Sequence, residues 1–299
     1  MNGAGPVQAR LGDGRLHLQH GPIDMIVGAE GPSRAVDEAQ ARAWACFETL
    51  LTGLVAELPL LRQPVRPEAE CPLQGPVARA MASAARAHLP AFVTPMAAVA
   101  GAGAQAVLDA MSAAPGLSRA HVNNGGDIAL FLARGALPYR LGVVVDPAVP
   151  ASPGRLVIGP DTRWRGIATS GAKGRSHSLG IADSVTVLAH DAPAADVAAT
   201  LIANAVDLPG DPAITRAPAR SLSPDSDLGD RPVTTRVAPL TPAGIALALE
   251  AGEAVARRML ARGLIGGALL VLQGTARVVG DLPLLPPVPQ PQGETLVHA

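Results

Sequence analysis

Between Ser118 and Val187 the chain breaks into short runs of Val, Ile and Leu, separated by Gly, Pro and Asp: Ile128 to Leu132, Tyr139 to Val145, Arg155 to Ile158, Gly166 to Thr169 and Ser184 to Ala189. Apolar runs of this length, bounded by turn formers, read as sheet strands. Helical patterns stand on either side of the block and do not alternate with it. They cover about Arg34 to Glu57, Val77 to His88, Thr94-Pro95 to about Ala114, Ala192 to Val206, and Thr241-Pro242 to about Arg262. Thr94 suits an N-cap and Pro95 a first turn, and Gly263 suits a helix stop. Helices and strands that are grouped in this way predict an α+β fold over a doubly wound parallel sheet.

Aromatic residues are only 2% of the 299, against 48% hydrophobic, so Ala, Leu and Val must build the core. Val7 to Leu11 and Arg15 to Gln19 read as a hairpin around Gly12-Asp13-Gly14, with Ile23 to Val27 as a further strand. Leu264 to Val279 holds two strand-like runs around Gly274. Arg62 to Pro76 and Pro209 to Arg236 read as irregular connections, with Ser221 to Asp230 polar and exposed. Residues 1–280 are expected to form a single domain, possible as two closely packed lobes. The Pro-rich tail, 281–299, is expected to be extended or disordered.

The formal net charge is −1 and Lys173 is the single lysine. A nucleic-acid surface would need clustered Lys and Arg, so that class is excluded. Cys46 and Cys71 form no CxxC and no zinc-like spacing. No apolar run reaches the roughly 20 residues of a membrane helix, and Met1 to Gln8 lacks the pattern of a secretory leader. A cytoplasmic protein without a membrane partner is the expectation. The Ala-rich helices are suited to packing between subunits, so a homo-oligomer is compatible with the sequence.

Four polar stretches could carry chemistry. In Asn123-Asn124-Gly125-Gly126-Asp127-Ile128, glycines let backbone approach a bulky ligand, and Asp127 can bind a metal, accept from a ribose hydroxyl or cap the turn. A bare hairpin turn explains the stretch equally well, since Asn-Gly favours type I′. Ala168-Thr169-Ser170-Gly171 ends a strand and offers hydroxyls and backbone groups to an anion or metal; an ordinary strand-ending turn is the alternative. Asp196 and Thr200, four apart on a helix, share one face and can both reach a hard cation such as Mg²⁺. Alternatively, Asp196 stabilises its own helix N-terminus and Thr200 is simply packed. The segment from Lys173 through Arg175, Ser176, His177 and Ser178 is a basic, hydroxyl-rich loop that could hold a phosphate, with His177 as a general base. A solvated loop is the other reading.

Taken in order, Asn124-Gly125-Gly126-Asp127-Ile128, Ala168 to Gly171, Ser176-His177, Ser184 to Val187 and Ala195-Asp196 to Thr200 resemble the ApbE-like superfamily, whose best-known members are FAD:protein FMN transferases. The resemblance covers about Thr94 to Val206, and with Gly21-Pro22-Ile23-Asp24 it points to a cytosolic branch distinct from the transferases. It implies an ApbE-like α+β fold with mixed or antiparallel sheets. It implies FAD as substrate or bound ligand, and Mg²⁺ held by Asp196, Thr200 and a backbone oxygen near Ala168. Asn123, Asn124, Gly125, Gly126 and Asp127 would line the flavin or its phosphates, as would Thr169, Ser170, Gly171, Lys173, Arg175 and Ser176. His177 would be the base, and a cytosolic flavoprotein or oxidoreductase the acceptor. Non-catalytic flavin binding and other phosphate chemistry are the alternative functions. One departure stands out: the transferases follow the histidine with an I-D-P-x-x-G-type loop, whereas here Ser178-Leu179-Gly180-Ile181-Ala182-Asp183 follows and the Asp-Pro pair is gone.

Overall fold

The computed structural model describes residues 5–67, 71–143, 154–174, 176–285 and 297–298. The chain opens with β1 (Val7–Arg10), β2 (Leu16–His20) and β3 (Ile23–Glu30), followed by helices α1 (Ser33–Ala56), α2 (Leu58–Leu61) and α3 (Pro76–Arg86). A 3₁₀ turn, Pro95–Ala98, leads directly into α4 (Val99–Ser112). Strands β4 (Arg119–Asn124), β5 (Asp127–Leu132), β6 (Tyr139–Gly142), β7 (Arg155–Ile158), β8 (Gly166–Ser170) and β9 (Ser184–Ala189) come next, then α5 (Ala192–Ala205). After them run β10 (Ile214–Pro218), α6 (Ala219–Leu222), β11 (Pro232–Val237), α7 (Pro242–Ala261), β12 (Ile265–Leu272) and β13 (Thr275–Gly280). Two short strands, β14 (Leu284–Leu285) and β15 (Val297–His298), fall within the Pro-rich tail.

Nine strands form one sheet in the order β1-β2-β3-β4-β5-β8-β9-β12-β13, every neighbour antiparallel. A four-stranded sheet, β14-β7-β6-β15, is mixed, because β15 runs parallel to β6. The protein is therefore α+β, with a sheet core and segregated helices. Of the expected strand Tyr139 to Val145, residues 144–145 lie outside the described residues.

Period-two alternation divides the large sheet's two faces. Ala168, Val187, Ala268 and Leu270 point to α5 and α7, while Ile128, Leu130, Ile167, Leu188 and Leu269 point to the small sheet with Leu141 and Ile158. Ala120 and Val122 point to α1 and α4. The helix layer uses alanine where other proteins use larger side chains. Ala192, Ala195, Ala198, Ala199 and Ala203 of α5 are all fully buried. This brings α4 against α5 so closely that a Cβ on Gly101 would lie 2.4 Å from the Ala192 carbonyl oxygen.

Two expectations need correction. Thr94 occupies the N-terminal flank of the 3₁₀ turn but does not cap it; its hydroxyl donates to the Asp227 carboxylate instead. The stretch read as an irregular connection, Pro209 to Arg236, contains the β10–β11 hairpin and α6. This excursion is anchored over the helices: Asp227 to buried Thr94, the Arg231 guanidinium 3.4 Å from the Phe92 ring centroid, and the Thr234 N–H to the Ser178 carbonyl.

Candidate functional site

Asn124 ends β4 and Asp127 begins β5, directly opposite each other across the two-residue turn Gly125-Gly126. Both glycines have positive φ, 66° and 111°, which a side chain would resist. The turn is thus Gly-Gly, one residue later than an Asn-Gly turn. Asn123 serves it locally, its Oδ1 accepting from the Gly126 N–H at 2.9 Å.

Alternation then decides which side chains can meet. Asn124 and Asp127, both buried, fall on the helix face with Val122 and Ala129. Asn124 donates its side-chain amide to the Ala100 carbonyl oxygen at 3.0 Å, in the first turn of α4. The next residue, Gly101, donates its N–H to Asp196 Oδ2 at 2.9 Å. Asn124 of the hairpin, the start of α4 and the α5 carboxylate are therefore linked by consecutive contacts. Thr200 follows Asp196 by one turn of α5, and Asn204 follows Thr200 by one more. Asn204 Oδ1 accepts the Leu179 N–H at 2.9 Å, two residues after His177. A polar line about 12 Å long, at 1.5 Å per residue, runs along α5 from the start of α4 to the histidine loop.

Asp196 does stabilise a helix N-terminus, but that of α4, while Asp191 caps α5 itself by accepting from Ala194. Burial pushes the Asp196 carboxyl up to about 7, against the backbone N–H bonds of Gly101 and Ala100 that pull it down. A carboxyl in that state gains from a nearby cation. No cluster of three His, Cys, Asp or Glu suited to a metal occurs among the described residues. A cation here would be held by one carboxylate, the Thr200 hydroxyl and backbone oxygens, with water or phosphate completing the shell. That donor set fits Mg²⁺ and not zinc.

The other expected site residues are spread over both faces of the sheet and the loop after β8. Ala168 is fully buried in β8 opposite Val187, in the same core as Ala195, Ala198 and Ala199 of α5, while the Ala100 carbonyl turns to Asn124 on the side of its peptide away from Asp196. Thr169 shares its strand face with Ile167, away from α5, and its hydroxyl meets Thr186 Oγ1 at 2.9 Å. Asn123 likewise falls on the face opposite Asn124. Ser170, at the end of β8, returns to the helix face. Gly171 packs so tightly that a Cβ would meet the Asp183 carbonyl oxygen at 2.4 Å. Lys173 pairs with Asp183 at 3.6 Å and borders a cleft of about 480 Å³ shared with Arg236 and Gln273. Ser176 and His177 are exposed, and Arg175 lies outside the described residues.

Sequence reasoning missed the segment from Thr94 to Gly101. Its signal was a helix start carrying Gly101 and Gly103, since a glycine inside a helix marks close backbone approach. Few aromatics border the site. Trp44 packs on Phe47, Trp164 on His190, and Tyr139 on His121; Phe92, just before Thr94, is the ring nearest α4's start in the chain.

A family model described as "AbpE bacteria" matches residues 8–278 of this chain. The chain belongs to that ApbE-like family. Archaeal relatives agree with the placement. The UPF0280 protein of Methanosphaerula palustris is 36% identical over 178 residues, 56% of this ApbE-like chain and 71% of the relative. That of Methanosarcina acetivorans is 31% identical over 205 residues, 68% and 76% of the two. The match to the Methanocorpusculum labreanum UPF0280 protein is 44% identical but spans only half of that relative, 50%, and 40% of this chain. Among solved structures, the flavin transferase ApbE from Vibrio cholerae covers 93% of this chain and 97% of its own at 16% identity, with a TM-score of 0.41. The apo flavinyl transferase ApbE of Pseudomonas stutzeri gives 13% identity over 92% and 93%, with a TM-score of 0.42. These two are too distant to transfer site residues. No helix among the described residues is long and apolar enough to cross a membrane.

Proposed function

We propose that this protein processes FAD in the presence of Mg²⁺, as an FMN transferase that attaches FMN to a Thr or Ser of a cytosolic flavoprotein or oxidoreductase and releases AMP. The observation that carries the reading is the unbroken set of contacts from Asn124 through Ala100 and Gly101 to Asp196, continued along α5 by Thr200 and Asn204 to the His177 loop. Membership of the ApbE-like family supports the same chemistry.

Each residue then has a physical task. Asp196, Thr200 and a backbone oxygen near Ala168 would hold the cation. Bound there, Mg²⁺ would neutralise pyrophosphate charge and ease departure of AMP. Gly125 and Gly126 leave the hairpin bare, so that its backbone can lie against the nucleotide. Asn124 ties the hairpin to the start of α4 through the Ala100 carbonyl, whose peptide N–H side meets Asp196. His177 would accept the proton from the acceptor's hydroxyl oxygen. Its exposure suits an acceptor that is itself a protein and must arrive from outside.

A second reading is a non-catalytic FAD-binding accessory protein, favoured by the missing Asp-Pro pair after His177. Incubation of the purified protein with FAD, Mg²⁺ and candidate acceptors separates the two. Release of AMP with flavin bound covalently to the acceptor supports transfer. FAD binding without AMP under every condition supports the accessory role, and failure to bind any flavin leaves other phosphate chemistry on this fold.

A further inference from the structure

We infer that Asn204 is a positioning residue that fixes the backbone next to His177 and so sets where the imidazole meets the acceptor hydroxyl; this rests on the transferase reading above. Asn204 lies two turns beyond Asp196 on the same face of α5, so the helix that would carry the cation ligands also carries the anchor of the base. Its Oδ1 accepts the Leu179 N–H at 2.9 Å and lies 3.4 Å from Ser178 Oγ. Ser178 is buried, and its hydroxyl in turn accepts the Gly180 N–H at 3.2 Å.

The rest of the loop is fastened behind that point. The Leu179 carbonyl receives the Arg216 guanidinium, which also pairs with Asp207. Gly180 is pressed on α5, where a Cβ would lie 2.1 Å from the Ala203 carbonyl oxygen. The Ile181 N–H donates to the Val206 carbonyl, and the Thr234 N–H to that of Ser178. His177 itself is exposed. Asn204 is therefore the side chain that ties α5 to the residues next to the imidazole. Asn204 is the penultimate residue of α5, and Asn ranks low in helix propensity, so helix formation does not call for it. Misplacement on the ångström scale is enough to slow a proton transfer severely.

The test uses the full chain and the variants Asn204→Ala and Asn204→Asp, each with and without His177→Ala. Asp keeps an oxygen for the Leu179 N–H, and Ala removes it. Three readouts are taken: FAD affinity, AMP release with acceptor, and trypsin cleavage after Lys173 in the same loop. Asn204→Ala is expected to lower kcat at least tenfold, leave FAD affinity within about threefold, and speed the cleavage. Asn204→Asp should restore most of both properties. In the His177→Ala background, Asn204→Ala should lower the rate no further, as expected of residues acting as one unit. If Asn204→Ala fails to fold, Asn204→Gln, one methylene longer, should show the same loss by pushing the loop outward. Equal rate losses with and without His177, an Asp variant as poor as the Ala variant, or unchanged cleavage would each overturn the inference. Wild-type protein that binds FAD but never releases AMP would end the transferase reading, and the catalytic role of Asn204 with it. The cleavage assay would then still report whether Asn204 holds the loop.

Discussion

Asn124 and Ala100 meet at 3.0 Å, side-chain amide to backbone carbonyl, and this contact joins the sheet to the start of α4. Asn124 is buried and Ala100 half-buried. Asn124→Ala would leave that carbonyl with a lost donor, a loss of about 1–3 kcal/mol for a buried polar group. A fall in melting temperature of several degrees and weaker FAD binding are expected together. A variant with normal FAD affinity would detach Asn124 from the ligand site.

Much of the sheet was readable because its strands alternate cleanly, and the same alternation limits the site. Asn123 and Asn124 cannot both face α5, nor can Thr169 and Ser170, so a motif written as consecutive residues necessarily splits between two faces. The convergence of Asn124 with Asp196 was not readable, because it passes through Ala100 and Gly101, whose backbones do the work and whose side chains signal nothing. The β10–β11 excursion was hidden for a different reason. Its hold on Thr94, Phe92 and Ser178 is made by residues far away in sequence, and its own strands are short and mostly exposed.

Gly101 should tolerate no side chain. Its position faces the Ala192 carbonyl oxygen at 2.4 Å and the Pro193 nitrogen at 2.9 Å, both backbone atoms that cannot rotate aside. Gly101→Ala would improve helix propensity by roughly 1 kcal/mol in an isolated helix. Here it is expected to destabilise, because α4 must move off α5 and the Gly101–Asp196 bond stretches. Thermal unfolding compared with Gly53→Ala, an α1 glycine with open space around it, gives the control. A Gly101→Ala protein as stable as wild type would show that the two helices are not in contact at this point.

Two buried histidines should weaken the fold in acid. Burial lowers His121 to about 4, as it does His88, where the nearby Arg262 charge adds to the effect. His121 is packed against Gly28 and the edge of Tyr139, so it has no room to take a proton and its water. An unfolded histidine titrates near 6.5, so between about 6.5 and 4 the unfolded chain binds more protons than the folded one. The stability contributed by the two rings is therefore full above about pH 6.5 and lost as pH falls toward 4, by an order of a few kcal/mol for the two sites together. Urea unfolding of Asp196→Asn at pH 7.5, 5.5 and 4.5 measures the slope, because the Asp196 carboxyl of the wild type gains stability over the same range and offsets it. A flat profile through this range would contradict the burial of both rings.

Asp196 sets stability against function. Its carboxyl is raised to about 7 by burial, whereas an unfolded Asp titrates near 3.9. Between those values the folded protein holds the proton and the unfolded chain does not, so the site destabilises the fold progressively as pH rises, up to a plateau above about 7. Asp196→Asn keeps an oxygen for the Gly101 N–H and removes the charge. At pH 8, without added metal, the variant should melt several degrees above wild type. The same substitution takes away the one carboxylate of the proposed cation site, so any Mg²⁺-dependent gain in melting temperature should vanish, along with AMP release. The two effects separate by adding EDTA to the wild type, which should remove the metal-dependent gain and leave the pH dependence. An Asp196→Asn protein that still gains stability from Mg²⁺ would place the cation elsewhere.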